Sequence, residues 1–256
     1  VYKRQQFYKT YLHVGKKKYT TTQQLMENPP VYDGYVVGSD QTWNPFVANS
    51  PEAFFLPFVE NKSKKGSYGP SLAVKSLSDE KEKEYRKKLS NFSFLSCREQ
   101  DGAQLLSRIT QKEVKCVLDP TLLLSAKEWG KYCEFEIPKE PYILVYFLGE
   151  KSEHRRAVEK IQKLTNWKII SLPAAYLEME NNDYKKVWGG PKEFLSLIRG
   201  AALICTDSFH GTMFSINFQR NFFSFCKSSD SEESSENSRL YSALNIFGSV
   251  SYTHLR

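Results

Sequence analysis

Apolar and polar positions alternate in blocks along this 256-residue chain. Short apolar runs give way repeatedly to longer stretches with helical spacing. Residues 35–38 (YVVG) form the first apolar run, and it ends at Ser39-Asp40. Residues 54–59 and 64–68 read as two further strands. Ser78 then opens a helix. Asp79 and Glu80 stand in its first turn and Lys87 and Lys88 in its last, a charge order that suits the helix dipole at both ends. Tyr85, Leu89 and Phe92 supply its apolar stripe. A strand at 92–97, a helix at 99–109 and a strand at 114–118 follow.

The second half repeats the alternation after a break at 135–141, which holds two prolines and mixed charge. The break predicts a boundary between domains 1–138 and 139–256. Residues 142–148 (YILVYFL) are continuously apolar, as a parallel strand covered on both faces should be. A helix at 152–164 follows, with Ala157, Val158, Ile161 and Leu164 predicted inward. Then come a strand at 167–172, a helix from Pro191 to Arg199 stopped by Gly200, a strand at 202–205, a polar turn at 206–210 and a helix at 211–218. Residues 228–238, rich in Ser and Glu, read as a mobile loop. The pattern predicts an α/β chain of two parallel-sheet units facing each other.

Composition narrows the function classes. The hydrophobic fraction is 40% and the charged fraction 25%, an ordinary globular balance. No apolar run nears the roughly 18–20 residues that span a bilayer. The net charge of +7 arises wholly in residues 1–118, and residues 119–256 sum to zero. A basic half can attract phosphates, anionic lipid or nucleic acid, but no nucleic-acid motif organises it. The five cysteines form no CxxC pair, which points to reduced usage in the cytoplasm. His13, His154, His210 and His254 are isolated, HExxH and DxD are absent, and no metal site is expected. Neither a Walker-type nor a GxGxxG phosphate loop is present.

Three segments could carry chemistry. In 203–213 (LICTDSFHGTM) a buried strand meets a polar turn and then a helix. Ligands of open α/β sheets bind at such strand ends, where helix amides favour anions and His210 could move a proton. Asp207 and Ser208 could equally be plain helix caps. A Ser-His-Asp hydrolase is a poor reading, because triad members come from separate segments and no GxSxG elbow exists. In 92–102 (FSFLSCREQDG), Arg98 follows a strand and offers a fork for carboxylate or phosphate; the alternative is a surface ion pair with Glu99 or Asp101. In 32–45 (YDGYVVGSDQTWNP), Ser39, Asp40, Gln41, Trp43 and Asn44 gather polar groups and an aromatic face that would suit a sugar. Trp43 could instead plug the core.

These segments, in order with 66–73 (GSYGPSLA), 117–124 (VLDPTLLL) and 142–149 (YILVYFLG), resemble the polysaccharide pyruvyl transferase family over most of the chain. The resemblance implies a GT-B-like architecture: two Rossmann-like parallel-sheet domains facing across a cleft. It also implies an enzyme of bacterial cell-surface polysaccharide biosynthesis that moves enolpyruvyl from phosphoenolpyruvate to sugar hydroxyls as a pyruvate ketal. Arg98 matches the arginine of the family's SVRE-like segment and His210 the histidine of its RLH-like segment, so both are expected to contact donor and serve catalysis. Ser208, Gly211 and Thr212 complete the expected donor site in the second domain; Ser39, Asp40, Gln41, Trp43 and Asn44 form the expected acceptor site in the first.

No cofactor is expected beyond phosphoenolpyruvate as co-substrate. The acceptor is a glycan or lipid-linked saccharide, met in the cytoplasm or at the inner face of the membrane, and nucleic acid is not a partner. The chain is expected to be truncated at both ends. No Asn-Tyr-Gly loop precedes Phe7, and 251–256 (SYTHLR) resembles a cloning or assembly artefact more than native sequence. Where some members carry arginine two places before the histidine, this chain has Ser208, which leaves a doubly charged donor one cation short; Lys64 and Lys65 are the candidates to supply it. A GT-B-type glycosyltransferase and a catalytically silent glycan-binding relative remain as alternatives.

Overall fold

The computed structural model describes residues 2–47, 52–149, 152–173, 184–227 and 237–248. Its elements in chain order are α1 (Tyr2–Tyr11), α2 (Thr22–Glu27), β1 (Tyr35–Val37), β2 (Lys65–Ser67), α3 (Asp79–Leu89), β3 (Leu95–Cys97), α4 (Gln100–Thr110), β4 (Val114–Cys116) and α5 (Ala126–Gly130). After these come β5 (Tyr142–Tyr146), α6 (Ser152–Thr165), β6 (Lys168–Ser171), β7 (Lys185–Lys186), α7 (Pro191–Gly200), β8 (Leu203–Thr206), α8 (Phe209–Asn217), β9 (Phe222–Ser224) and α9 (Asn237–Ile246).

The described residues fall into two compact units. One holds the chain up to Gly15 with Thr121–Lys227; the other holds Lys16–Pro120 with α9. The sequence pattern predicts a division at 138/139. The contacts set it at Pro120/Thr121, because Trp129, Tyr132, Phe135 and Ile137 pack on the core around β5 and α7. Pro138 and Pro141 mark only the entry to β5. The expected loop at 228–238 lies outside the described residues as far as 236, and Asn237 already opens α9.

The unit of Lys16–Pro120 and α9, the first unit by virtue of its earlier strands, pairs β1 with β2 and β3 with β4, all parallel. A single parallel bridge between Gly66 and Phe94 links the two pairs, so the strands run in the order 1-2-3-4. Trp43, Leu72, Leu89, Phe92, Leu106 and Ile109 fill the core. Ser78 caps α3 by accepting from the Lys81 amide, as its sequence predicts. Residues 54–59 are not a strand: Glu52–Phe55 is a 3-10 turn that inserts Phe55 into the core. α9 packs against α4, with the Ser242 hydroxyl accepting from the Gln100 amide at 3.1 Å.

The second unit is a five-stranded parallel sheet in the order β7-β6-β5-β8-β9. Side chains alternate across it. Leu144, Ile170 and Ile204 join one core with α7 and α8; Ile143, Ile169 and Cys205 join another with Val158 of α6. Covering both faces is what the unbroken YILVYFL run foretells. Leu164, predicted inward, is 86% exposed, whereas His154, one turn before Val158, is buried.

Candidate functional site

In the first unit four successive strand ends build one cluster. Gly38 follows β1 at φ +127°, and a Cβ there would lie 2.1 Å from the Tyr68 carbonyl oxygen. Only glycine lets the loop after β1 press this closely on the loop after β2. Ser39 Oγ consequently lies 3.1 Å from both the Gly69 carbonyl and Asp119 Oδ2, and its one proton can serve either acceptor. Asp40 follows at φ +57°, a left-handed conformation that Asp tolerates better than most residues.

Arg98, just after β3, is the hub. Its Nη1 donates to Asp119 Oδ2 at 2.7 Å and its Nη2 to Asp40 Oδ1 at 3.0 Å. The Arg98 and Asp119 side chains are 0% and 2% exposed, whereas Asp40 is 65% exposed. Arg239 of α9 approaches the same Asp40 oxygen at 3.8 Å. The arginine is therefore not in a surface pair with Glu99 or Asp101. Glu99 is fully buried, and its Oε1 accepts from the Leu72 amide at 2.6 Å, the Ala73 amide at 3.0 Å and the Ser71 hydroxyl at 3.1 Å. It locks the loop after β2 to the strand end that carries Arg98. Burial first, and the negative charge of Asp119 second, push the Tyr68 phenol above its ordinary pKa.

Parts of the expected acceptor site are internal. Trp43 is fully buried, its Nε1 donating to the Phe54 carbonyl and its ring stacking on Phe55. It is a core residue and offers no face to a sugar. Asn44 is buried too. Its Nδ2 donates to Gln41 Oε1 at 2.6 Å and its Oδ1 accepts from the Phe46 amide, so the pair shapes a turn. Ser39 and Asp40 do join Arg98. Lys64 and Lys65 do not: they flank the amino end of β2, Lys64 donating to the Tyr32 carbonyl and Lys65 lying 5.9 Å over the Phe92 ring. Desolvation lowers the Lys65 pKa, the mark of a buried amine.

The second unit carries TDSFHGT. Thr206 Oγ1 donates to the Tyr146 carbonyl at 2.6 Å. Asp207 accepts from the amides of Leu148 and Gly149, at 2.6 and 3.1 Å, and so ties the end of β5 to the end of β8. Ser208 caps α8 by accepting from the Gly211 amide. Thr212 Oγ1 contacts both the Ser208 carbonyl and Ser224 Oγ. A Cβ on Gly211 would stand 2.5 Å from Thr206 Oγ1, so this glycine exists to seat α8 on β8. Ser208, Gly211 and Thr212, expected at the donor, thus each also have a role within the fold at the start of α8.

His210, in the first turn of α8, is half-buried with the Phe209 ring edge-on at 5.5 Å. His154, in the first turn of α6, is buried between Phe147 and Phe225. A cavity of about 640 Å³ lined by Glu140, Tyr142, Lys168 and Lys185 opens at the amino ends of β5 and β6, the sheet edge away from His210. Among the described residues no His/Cys/Asp/Glu group is arranged to hold a metal ion, and no helix is long and apolar enough to cross a membrane.

Sequence reasoning brings Ser39, Asp40 and Arg98 together but misses Asp119, Glu99 and Arg239. Asp119 lies in the VLDP segment and follows a strand, the same signal that singles out Arg98. Arg239 comes from a helix far along the chain, and no local pattern pairs it with Asp40.

The family model for polysaccharide pyruvyl transferase matches residues 2–225. A UDP-GlcNAc 2-epimerase from Methanocaldococcus jannaschii is similar in fold, with TM-score 0.53 and 15% identity, over 86% of this chain and 71% of that one. The same epimerase with UDP-GlcNAc and UDP bound aligns with TM-score 0.51 and 16% identity, over 88% of this chain and 70% of that one. A protein from Listeria monocytogenes assigned as a UDP-N-acetylglucosamine 2-epimerase aligns with TM-score 0.56 and 12% identity, over 92% of this chain and 74% of that one. These likenesses concern the fold, which is α/β and Rossmann-like. No curated protein matches the chain.

Proposed function

The chain belongs to the polysaccharide pyruvyl transferase family, and on that footing we propose that it transfers enolpyruvyl from phosphoenolpyruvate to a sugar and closes a pyruvate ketal. A proton added to the donor's methylene carbon makes that carbon a methyl group and leaves C2 cationic. A sugar hydroxyl bonds to C2 and loses its proton. The bond from C2 to the bridging oxygen breaks, phosphate leaves, and a second hydroxyl closes the ketal with loss of its own proton.

The observation that carries the reading is the buried Arg98 guanidinium at the junction of four strand ends, held by Asp119 and facing the exposed Asp40. A fork so fixed suits a planar carboxylate or a phosphate. Its orientation is set before the ligand arrives, which is what positioning catalysis requires. His210 is the group for the proton step. The acceptor is a glycan or lipid-linked saccharide, and no cofactor takes part.

The test is incubation of the chain with phosphoenolpyruvate and candidate glycans. Inorganic phosphate release matched by a ketal-sized mass gain on the glycan is the expected result. Glycosyl transfer from a sugar nucleotide, with phosphoenolpyruvate untouched, would overturn it.

A further inference from the structure

One oxygen of Asp40 sits between two guanidinium groups. Arg98 Nη2 reaches Asp40 Oδ1 at 3.0 Å from the loop after β3, and Arg239 Nη1 reaches the same atom at 3.8 Å from α9. The two arginine side chains are 0% and 9% exposed, so the fold holds them in place. Asp40 differs from both. It is 65% exposed and stands on a left-handed turn at the mouth of the cluster. Asp119, by contrast, is 2% exposed and bound to the far nitrogen of Arg98. If the Asp40 carboxylate swings into water, it vacates the oxygen position between two guanidinium groups.

We propose that Arg98 and Arg239 form a two-arginine anion site, and that Asp40 is its internal occupant, displaced by one oxyanion end of the donor when that donor binds. The proposal rests on the reading of the chain as a phosphoenolpyruvate-using transferase and adds two things to it. It names Arg239 as the second cation that Ser208 does not supply. It also turns Asp40 from an acceptor-binding residue into a competitor for the donor. Such a carboxylate keeps the arginines oriented and neutralised while the site is unliganded. It lowers donor affinity in return, because the incoming anion must break one ion pair to form another.

The experiment titrates inorganic phosphate, pyruvate and phosphoenolpyruvate by calorimetry into wild type, Asp40→Asn, Arg239→Gln and the double variant. Thermal melts check that each is folded. Asp40→Asn keeps the turn and removes the charge, so it should tighten phosphate, pyruvate or both by about tenfold, on the scale of one partly screened charge pair. A gain for phosphate alone places the phosphoryl end at Arg98 and Arg239; a gain for pyruvate alone places the carboxylate there. Arg239→Gln should weaken the same anion by a similar factor. In the double variant the gain from Asp40→Asn should shrink, because the two residues share one atom-to-atom contact.

Unchanged or weaker binding of every anion in a folded Asp40→Asn variant overturns the proposal. So does an Asp40→Asn variant that raises only the KM for the glycan, which would return Asp40 to the acceptor. The binding readouts need no turnover, so failure of the pyruvyl-transfer reading shows separately, as anion binding without phosphate release.

Discussion

The Arg98 guanidinium and the Asp119 carboxylate meet at 2.7 Å with both side chains sealed from water. One comes from the loop after β3 and the other from the loop after β4, so the pair fastens two adjacent strand ends. A buried pair of this kind contributes little net energy compared with apolar packing, but removing one partner strands the other. Its value here is geometric: it fixes the direction of the Arg98 fork toward Asp40.

Asp119→Ala leaves Arg98 its ion pair with Asp40, so it should destabilise the first unit by up to about 3 kcal/mol, the lower end of the cost of breaking a buried pair. Asp119→Asn keeps an oxygen acceptor for Arg98 and should cost less, while weakening donor binding because the guanidinium loses its hold. Urea unfolding followed by tryptophan fluorescence reads the first effect, and calorimetry with phosphoenolpyruvate the second. An Asp119→Ala variant as stable as wild type would show that water reaches the pair.

The alternation of apolar runs with helical stretches makes most of the strands legible, and β5 and β8 most clearly, because strands covered on both faces need continuous apolar sequence. Residues 54–59 mislead because Phe55 and Val59 are buried from a 3-10 turn and the irregular chain after it, where burial leaves the same apolar mark as a strand. Leu164 misleads because it stands one residue before the end of α6, where helical spacing continues but the sheet no longer covers it. At the site, Arg98 and Asp40 are readable because each follows a strand. Ser208, Gly211 and Thr212 share that position, and capping and close packing use them as well. Only the contact distances separate the two uses. Arg239 is unreadable, since its partner Asp40 lies in the first quarter of the chain and α9 near its end.

Trp43 is the residue whose role the structure moves furthest. Its ring stacks on Phe55 at 6.0 Å and meets Phe92 edge-on at 5.7 Å, inside the core. Trp43→Ala should cost about 3–5 kcal/mol of stability, as large-to-small core substitutions do. Trp43→Phe should keep the glycan KM unchanged while lowering the melting temperature by a few degrees. A selective rise in glycan KM with full stability would restore the sugar-platform reading.

Buried thiols predict an alkaline limit to stability. Burial pushes the Cys205 thiol up to about 12, from an ordinary value of 9.0. Burial, and then the Glu99 charge, push Cys97 well above that value too. In the unfolded chain both thiols ionise near their ordinary value, so above it the unfolded state holds fewer protons than the folded one. Folding stability is complete below about pH 8.5 and falls as pH rises toward the folded values, by up to about 1.4 kcal/mol per pH unit for each thiol. Urea midpoints measured from about pH 7 to about pH 10, a range that spans the unfolded-state ionisation, should decline, and Cys205→Ala should flatten part of that slope. A flat wild-type profile would mean that these thiols already ionise in the folded chain.

The last prediction concerns His210 and separates chemistry from scaffolding. Four polar side chains of TDSFHGT have partners within the fold. Thr206 bonds the end of β5, Asp207 holds the Leu148 and Gly149 amides, Ser208 caps α8, and Thr212 meets Ser224. His210 is the group in the segment that can exchange a proton near neutral pH. It sits half-buried in the first turn of α8, with the Phe209 ring edge-on beside it. If it serves the proton step, His210→Ala should lower turnover by about 10²–10⁴-fold, the range for a general acid–base group. Calorimetric phosphate affinity and melting temperature should change little, because the anion site proposed at Arg98 and Arg239 takes its residues from the other unit. His210→Gln keeps the size and hydrogen-bonding capacity but cannot shuttle a proton, so it should be as slow as the alanine variant. Near-full activity in His210→Gln would assign the histidine a positioning role and send the search for the proton donor elsewhere.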